Sequence, residues 1–193
     1  MRVSRLRSKG GHRSGETDSF STLEKWNSGV NNSGIPIKAN MVAVLLLAEG
    51  RRPPRLLLLR RTTSDPYAPG SRQILYGHIE AGETAEQTVV REIGEETGLT
   101  VKSLFTLNET FTFYEKVGKI ISLVPVFVAI GDDSEKLRLD PGEHIEAEWL
   151  ELGEARRHLI WPAQRRALDV LGELMESGGL PEIMRLPIPG QVR

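Results

Sequence analysis

Apolar residues along the chain are gathered into short runs separated by polar turns. Met41 to Leu47 is a continuous apolar run, which is typical of a strand buried on both faces. Other apolar or alternating runs predict strands at 56–59, 73–76, 101–107, 110–114, 120–130 and 146–150. The run 120–130 is nearly all apolar, so we expect this strand to lie at the centre of a sheet.

One stretch between these strands has helical periodicity. Glu83-Thr84 begins it with an acid that suits the helix dipole, and Gly98 can end it in the left-handed conformation. Its apolar stripe is formed by Val89, Val90 and Ile93. A second stripe, about 110° away around the helix, is formed by Glu92, Glu95 and Glu96. We expect the apolar stripe to pack on the sheet and the acidic stripe to face a cleft.

A second helix is predicted from Pro162 to about Met175, where apolar residues again recur at helical spacing. Strands and helices alternate irregularly, which favours a mixed sheet between helices over regular βαβ units. We expect one domain over residues 36–176, preceded by a poorly ordered tail (1–35) and followed by a Pro/Gly-containing tail (177–193). An organelle transit peptide is the alternative interpretation of the basic, acid-free start of the chain.

The composition of the chain argues against several classes of function. The formal net charge of −1 gives no overall field that would attract nucleic acid or an anionic membrane. The chain has no cysteine, which excludes disulfides, thiolate metal sites and a cysteine nucleophile. No apolar run approaches the roughly 18 residues of a transmembrane helix. We therefore expect a cytoplasmic protein with a small-molecule ligand, neither membrane-bound nor specific for nucleic acid.

The acidic stripe is the strongest chemical signal. Three carboxylates at positions i, i+3 and i+4 repel one another, and in a cleft they would have raised pKa values. A divalent cation relieves that repulsion, and an all-oxygen ligand set suits Mg²⁺, with Mn²⁺ as a substitute. Arg91 can orient this cluster through a bidentate contact with Glu83. For a single glutamate a solvated surface is the more common explanation, but the spacing of the whole pattern argues against it.

The spacing from Gly77 to Leu99 resembles the box of the Nudix hydrolase family at every position. The matching residues are Gly77, Glu83, Arg91, Glu92, Ile93, Glu95, Glu96, Gly98 and Leu99. The resemblance covers roughly residues 36–176 and implies an α/β/α sandwich with a mixed sheet. It also implies Mg²⁺-dependent hydrolysis of a nucleoside diphosphate linked to another moiety.

The resemblance carries roles for individual residues. Glu92 and Glu96 would be the principal metal ligands, with assistance from Glu95 and the Gly77 carbonyl. Arg91 and Glu83 would be the pair that orients them. Glu96 is the first candidate for the general base, and Glu95 and a later glutamate, Glu143, are the alternatives.

The C-terminal third resembles one branch of that family, the bacterial dATP or dihydroneopterin triphosphate pyrophosphohydrolases. The resemblance lies in Glu143-His144 followed after four residues by Trp149-Leu150. It implies that Glu143 is an additional metal ligand and that a nucleoside triphosphate-like substrate is cleaved to monophosphate and pyrophosphate. A loop acid is the alternative interpretation of Glu143.

Six residues are candidates for substrate contacts. Arg60 and Arg61 end a predicted hairpin, Tyr67 lies in the loop after it, Tyr76 and His78 flank Gly77, and His144 follows Glu143. A structural histidine is the alternative interpretation of His144. Other substrates stay open, namely diadenosine polyphosphates, for which Tyr114 is a weak marker, and ADP-ribose or nucleotide sugars. The SQPWPFPxS segment typical of NADH-cleaving relatives is absent. A non-catalytic nucleotide-binding regulator is the third interpretation, and a homodimer is considered.

Overall fold

The computed structural model describes residues 34–191, so the predicted N-terminal tail lies almost entirely outside the described residues. The strands are Ile37–Lys38 (β1), Met41–Ala48 (β2), Arg55–Arg61 (β3), Arg72–Gln73 (β4), Leu75–His78 (β5), Ser103–Glu115 (β6), Ile120–Gly131 (β7), His144–Glu151 (β8) and Arg185–Leu186 (β9). The helices are Ala85–Thr97 (α1), Leu152–His158 (α2) and Pro162–Glu176 (α3), and a 3-10 turn covers Glu182–Met184.

The strands form one mixed sheet. The path β4-β3-β2-β7-β6-β9 crosses it, with β1 beside β7, β5 beside β2 and β8 beside β3. Strand β2 runs parallel to β7 and antiparallel to β3 and β5. Strand β7 pairs with β1, β2 and β6, which confirms the prediction that this apolar strand is central.

Each face of the sheet has its own apolar core because side chains alternate along a strand. On β2, Ala43, Leu45 and Leu47 belong to one core, and Val42, Val44 and Leu46 belong to the other. Helix α1 covers the second face through its buried Val89 and Ile93. Helices α2 and α3 cover the first face, so the predicted α/β/α arrangement is confirmed.

The structure also contains elements that the pattern did not predict. The two strands predicted at 101–107 and 110–114 are one strand, β6, whose pairing with β7 is irregular between Thr106 and Thr110. Asn108 lies there with a positive φ of 57°. Helix α2 and strand β9 were not predicted, and β9 lies within the segment predicted as a tail. Among residues 34–191, no helix has the length and apolar character needed to span a bilayer.

Candidate metal centre

Helix α1 is fixed at both ends by local sequence. Thr84 caps its start by accepting a hydrogen bond from the Gln87 amide, and the Gln87 side chain accepts one from the Thr84 amide in return. Gly98 ends the helix in the left-handed conformation with φ 72°. Val89 and Ile93 are fully buried against the sheet, which fixes the rotation of the helix about its own axis. The acidic stripe therefore lies to one side of the contact between helix and sheet.

Arg91 joins the helix to the loop before it. Its Nε and Nη2 donate to the two carboxylate oxygens of Glu83 at 2.8 and 3.0 Å. Its Nη2 also donates to the His78 carbonyl at 2.9 Å, and Nη1 donates to Glu95 at 2.9 Å. Nη1 lies 3.1 Å from Glu92 as well. The bidentate contact predicted between Arg91 and Glu83 is therefore present.

Gly77 lets strand β5 approach the helix closely. A Cβ atom at this position would lie 2.8 Å from Cδ of Glu92 and still closer to its Cγ. The next amide, that of His78, donates to Oε1 of Glu92 at 3.1 Å. The absence of a side chain at Gly77 therefore makes room for the Glu92 carboxylate beside the strand.

Glu96, Glu143 and His144 form a compact group of potential ligands. One ligand atom from each lies within 4.8 Å of the others. Glu96 is 4% exposed and His144 is 2% exposed, and Nδ1 of His144 lies 3.5 Å from Oε2 of Glu96. Within residues 34–191, neither that oxygen nor either imidazole nitrogen has a hydrogen-bond partner.

The loop between β7 and β8 delivers Glu143 to the helix. The Arg138 amide donates to the Thr97 carbonyl at the end of α1 at 2.8 Å, which ties the loop to that helix. Asp140 then forms a tight turn, because its side chain accepts from the Gly142 amide and its carbonyl accepts from the Glu143 amide. The sequence Asp140-Pro141-Gly142 is typical of such a turn.

Arg61 lies beside Glu143 at the end of β3. Its Nη1 donates to Oε2 of Glu143 at 2.9 Å, and its Nε lies 3.6 Å from Asp65. With the Gln73 amide turned so that its oxygen faces the guanidinium, that oxygen accepts from Nε at 2.7 Å. Arg61 is thus the candidate phosphate contact nearest the carboxylates.

The pKa values of two buried groups depart strongly from their ordinary values. Burial raises the pKa of the Glu96 carboxyl to about 9, and the nearby charges of Glu143 and Glu92 act in the same direction. Burial lowers the pKa of His144 to about 4, with a further contribution from Arg61. Burial also raises the pKa of Glu92. Without a cation, the centre therefore favours a protonated Glu96 beside a neutral imidazole.

The environment of Glu83 lowers its pKa, in contrast to that of Glu96. The hydrogen bonds from Arg91 lower the pKa of this carboxyl to about 2, and the Thr88 hydroxyl, which donates at 2.8 Å, contributes to the same effect. Thr88 is fully buried, and the sequence analysis missed its role. A hydroxyl four residues after a helix cap is the signal that could have identified it.

A divalent cation fits the donors that converge here. A buried carboxylate oxygen without a hydrogen bond is costly unless a proton or a cation neutralises it. Glu96 and Glu143 supply oxygen donors, and Glu92 lies close enough for its charge to raise the pKa of Glu96. The Glu95 side chain is 62% exposed and paired with Nη1 of Arg91, the same atom that lies 3.1 Å from Glu92.

The candidate substrate residues are spread more widely than the sequence suggested. Arg60 lies on the opposite side of β3 from Arg61, where it contacts the Gly70 carbonyl and Glu146. Tyr67 is 73% exposed in the loop before β4, and its amide donates to Asp65.

Tyr76 is not brought to the carboxylates. It packs against the core that α2 and α3 cover, and Gln164 of α3 donates to its hydroxyl at 3.0 Å. Burial raises the pKa of that hydroxyl to about 12. Strand alternation explains this placement, because the neighbouring Gly77 faces α1. His78 has an exposed side chain, and its backbone contacts Glu92 and Arg91.

Residues 38–171 match the family model described as the NUDIX domain. The NAD-capped RNA hydrolase NudC of Escherichia coli O1:K1 / APEC is 34% identical over 109 residues, which are 56% of this chain and 38% of that protein. The chain therefore spans less than half the length of this curated relative.

Solved structures resemble the fold. A C. elegans Ap4A hydrolase binary complex superposes with a TM-score of 0.62 at 21% identity, covering 72% of this chain and 99% of that one. The E. coli dihydroneopterin triphosphate pyrophosphohydrolase superposes with a TM-score of 0.54 at 21% identity, covering 70% and 96%. At 21% identity, these two superpositions show a similarity of fold alone.

Proposed function

The chain belongs to the NUDIX family, and we propose that it hydrolyses a phosphoanhydride bond of a nucleoside triphosphate-like substrate. The products would be a monophosphate and pyrophosphate, and the substrate would be of the dNTP or dihydroneopterin triphosphate type. The observation that carries this proposal is the buried Glu96 carboxylate beside Glu143, since Oε2 of Glu96 has no hydrogen-bond partner among residues 34–191. We propose Mg²⁺ as the physiological ion, with Mn²⁺ as a substitute.

Glu92, Glu96 and Glu143 would hold the ion, and the Gly77 carbonyl and Glu95 are secondary candidates. A divalent ion held by these residues would neutralise phosphate charge and make a water molecule more acidic. Arg91 and Glu83 are positioning residues, since they join the loop to the helix that carries the ligands.

A glutamate would accept the proton of the attacking water as the water oxygen bonds to phosphorus and the phosphoanhydride bond breaks. Glu96 is the first candidate for this base and Glu143 the second. Glu95 is less suited, because its carboxylate is exposed and held by Arg91. Arg61 is close enough to Glu143 to meet the charge that develops on the leaving phosphate.

A dinucleotide pyrophosphate is a second candidate substrate, because the curated relative is an NAD-capped RNA hydrolase. The chain lacks the SQPWPFPxS segment, which is why we place this class second. Diadenosine polyphosphates and ADP-ribose belong to the same group of alternatives.

A substrate panel tests the proposal. It should contain dATP, the other dNTPs, dihydroneopterin triphosphate, diadenosine polyphosphates, ADP-ribose and NAD, each with Mg²⁺ and with product identification. We expect pyrophosphate release from a triphosphate to be the fastest reaction. Faster cleavage of a dinucleotide would favour the second candidate, and binding without cleavage of any compound would favour a non-catalytic regulator.

Glu96→Gln provides the matching test of the site. We expect kcat to fall about 10²–10⁴-fold, because both a ligand and the first candidate base are lost while the shape is kept. Glu173→Gln, an exposed position on α3, is the matched control and should keep full activity. Near-normal turnover in a folded Glu96→Gln protein would exclude Glu96 from both roles.

A further inference from the structure

We propose that His144 supplies an imidazole nitrogen to the ion held by Glu96 and Glu143, so that the centre takes one nitrogen ligand among its carboxylates. The inference rests on the metal centre proposed above and adds a donor of a different chemical type. A nitrogen donor should raise the affinity of the centre for first-row transition-metal ions relative to its affinity for Mg²⁺.

An irregularity in the pairing of β3 with β8 aims His144 toward α1. Arg60 pairs with Glu146, but the next residue, Arg61, pairs with His144, so Ile145 is passed over. Regular alternation would give His144 the same face as Glu146. The bulge moves it to the other face, where Glu96 lies.

Within residues 34–191, His144 lacks the hydrogen-bond partners that a structural histidine normally has. A buried imidazole usually donates one N–H to a carbonyl or carboxylate, yet within the described part of the chain neither nitrogen has a partner. The residue is 2% exposed, so bulk water does not supply one. An ion bound in the centre would give a partner to Nδ1, the imidazole nitrogen that lies 3.5 Å from Oε2 of Glu96.

The distances suit a shared ion. Ligand atoms at about 2.1 Å from one ion lie about 3.0–3.4 Å apart when they are neighbours in an octahedron or tetrahedron. The separation of 3.5 Å between Nδ1 of His144 and Oε2 of Glu96 is close to this value. Glu143 precedes His144 in a turn rather than in the strand, so consecutive side chains can reach one centre.

A nitrogen donor changes the metal preference. Imidazole suits Fe²⁺, Ni²⁺, Cu²⁺ and Zn²⁺, and the affinity of a site with a nitrogen donor rises along the first-row series that begins at Mn²⁺, whereas Mg²⁺ strongly favours oxygen. We therefore expect the chain to bind Mn²⁺ at least about 10-fold more tightly than Mg²⁺. The preference should fall about 10-fold in His144→Gln, which removes the imidazole and keeps a polar side chain.

Pulsed electron paramagnetic resonance of Mn²⁺ bound to the full chain tests the inference directly, because a coordinated ¹⁴N modulates the spin echo. We expect this modulation in the wild type, its loss in His144→Gln and its retention in His158→Gln, an exposed control on α2. Labelling the wild type with ¹⁵N-histidine should replace the ¹⁴N pattern, which keeps the test valid if His144→Gln fails to fold.

The outcomes separate the two proposals. Mn²⁺ that binds in a Glu96-dependent manner without nitrogen modulation would overturn the role of His144 and leave the proposed hydrolase intact. A chain in which Glu96→Gln changes neither Mn²⁺ nor Mg²⁺ affinity would overturn the metal centre itself. Modulation that persists in His144→Gln would also overturn the assignment to this residue.

Discussion

At the residue scale, the proposed chemistry of the site depends on Glu96, an acid buried near Glu92 and Glu143. The protonated form is favoured in the absence of an ion, since the pKa is raised to about 9. A divalent ion that bound there would therefore displace a proton. Stability and metal affinity should therefore both depend on pH through this one carboxyl.

We predict that the metal-free chain loses stability as pH rises from about 6.5 to 9. The folded state holds a proton on Glu96 up to a pKa of about 9, whereas the unfolded state releases it near 4.5, so unfolding is favoured as pH rises. His144, with a folded pKa of about 4, has the opposite effect, but only between 4 and 6.5. The loss should be on the order of 3 kcal/mol.

Urea unfolding across this pH range measures the effect. Glu96→Gln is neutral at every pH, so its profile should be flatter than that of the wild type. Saturating Mg²⁺ should also flatten the wild-type profile, because the ion stabilises the charged carboxylate. Parallel profiles for the two metal-free proteins would contradict a protonated Glu96.

Local spacing made part of the site predictable from sequence. The contact between Arg91 and Glu83 joins residues only eight positions apart in one loop–helix segment, so it could be predicted from their local spacing. The placement of Tyr76 could not be predicted in the same way. Its side-chain direction depends on which face of β5 meets α1, and that is decided by packing between elements distant in sequence.

At the element scale, the site depends on how closely β5 approaches α1. Gly77 is the position at which the strand touches Glu92, and the His78 amide then holds that carboxylate. The close approach depends on both elements, because β5 supplies a position without a side chain and α1 supplies Glu92 opposite it. A single methyl group at the contact should therefore disturb both packing and ligand geometry.

We predict that Gly77→Ala destabilises the fold by about 1–3 kcal/mol, because the added methyl overlaps Glu92. Glu92 would have to turn away and lose the hydrogen bond from His78, so divalent affinity should fall at least several-fold. Unfolding titrations and isothermal calorimetry with Mn²⁺ measure the two effects.

Gly94 is the matched control for this substitution. It lies in α1 with nothing within 4 Å of an added Cβ, so Gly94→Ala should be neutral or stabilise the helix by up to about 1 kcal/mol. If Gly77→Ala binds Mn²⁺ as tightly as the wild type, Glu92 does not depend on the close approach.

The strong periodicity of apolar residues predicted the long elements. The short elements lack such a periodicity and were therefore not predicted. Helix α1 and strand β7 were predicted within a residue or two of their observed bounds. Helix α2 has a single buried residue, Ala155, so it has no apolar stripe to detect. Strand β6 was divided in two because Asn108, a common turn residue, lies inside it.

At the scale of the whole molecule, the order of strands was not predictable from local pattern. Strand β3 has β8 along one side, although more than eighty residues separate their paired positions. That pairing brings Glu143 and His144 to the end of α1, so the candidate metal centre depends on the topology of the sheet. Chain order alone does not specify such long-range pairing.

The C-terminal segment contributes to the sheet as well. Strand β9 pairs with β6 at Leu104 and Phe105, and the Arg185 guanidinium lies 4.6 Å from the centre of the Phe105 ring. Arg185 also donates to the Ser103 hydroxyl at 3.1 Å. Leu186 packs on the core that α1 covers.

We predict that removing residues 179–193 lowers the free energy of unfolding by about 2–4 kcal/mol. The segment supplies strand hydrogen bonds, a cation–π contact and apolar burial, each of which contributes on the order of 1 kcal/mol. Affinity for Mn²⁺ should stay within about threefold of the full chain, because Glu96, Glu143 and His144 all lie outside the removed segment. Denaturant unfolding and calorimetry measure the two quantities.

Ile183→Ala in the full chain is the control, since this side chain is 94% exposed and its truncation should change stability little. An unchanged unfolding midpoint in the shortened chain would mean that β9 adds no net stability to the sheet. A large loss of Mn²⁺ affinity would mean instead that the segment supports the centre through the shared core. Because Leu186 packs on the same face as α1, this experiment separates the stability of that core from the geometry of the ligands it carries.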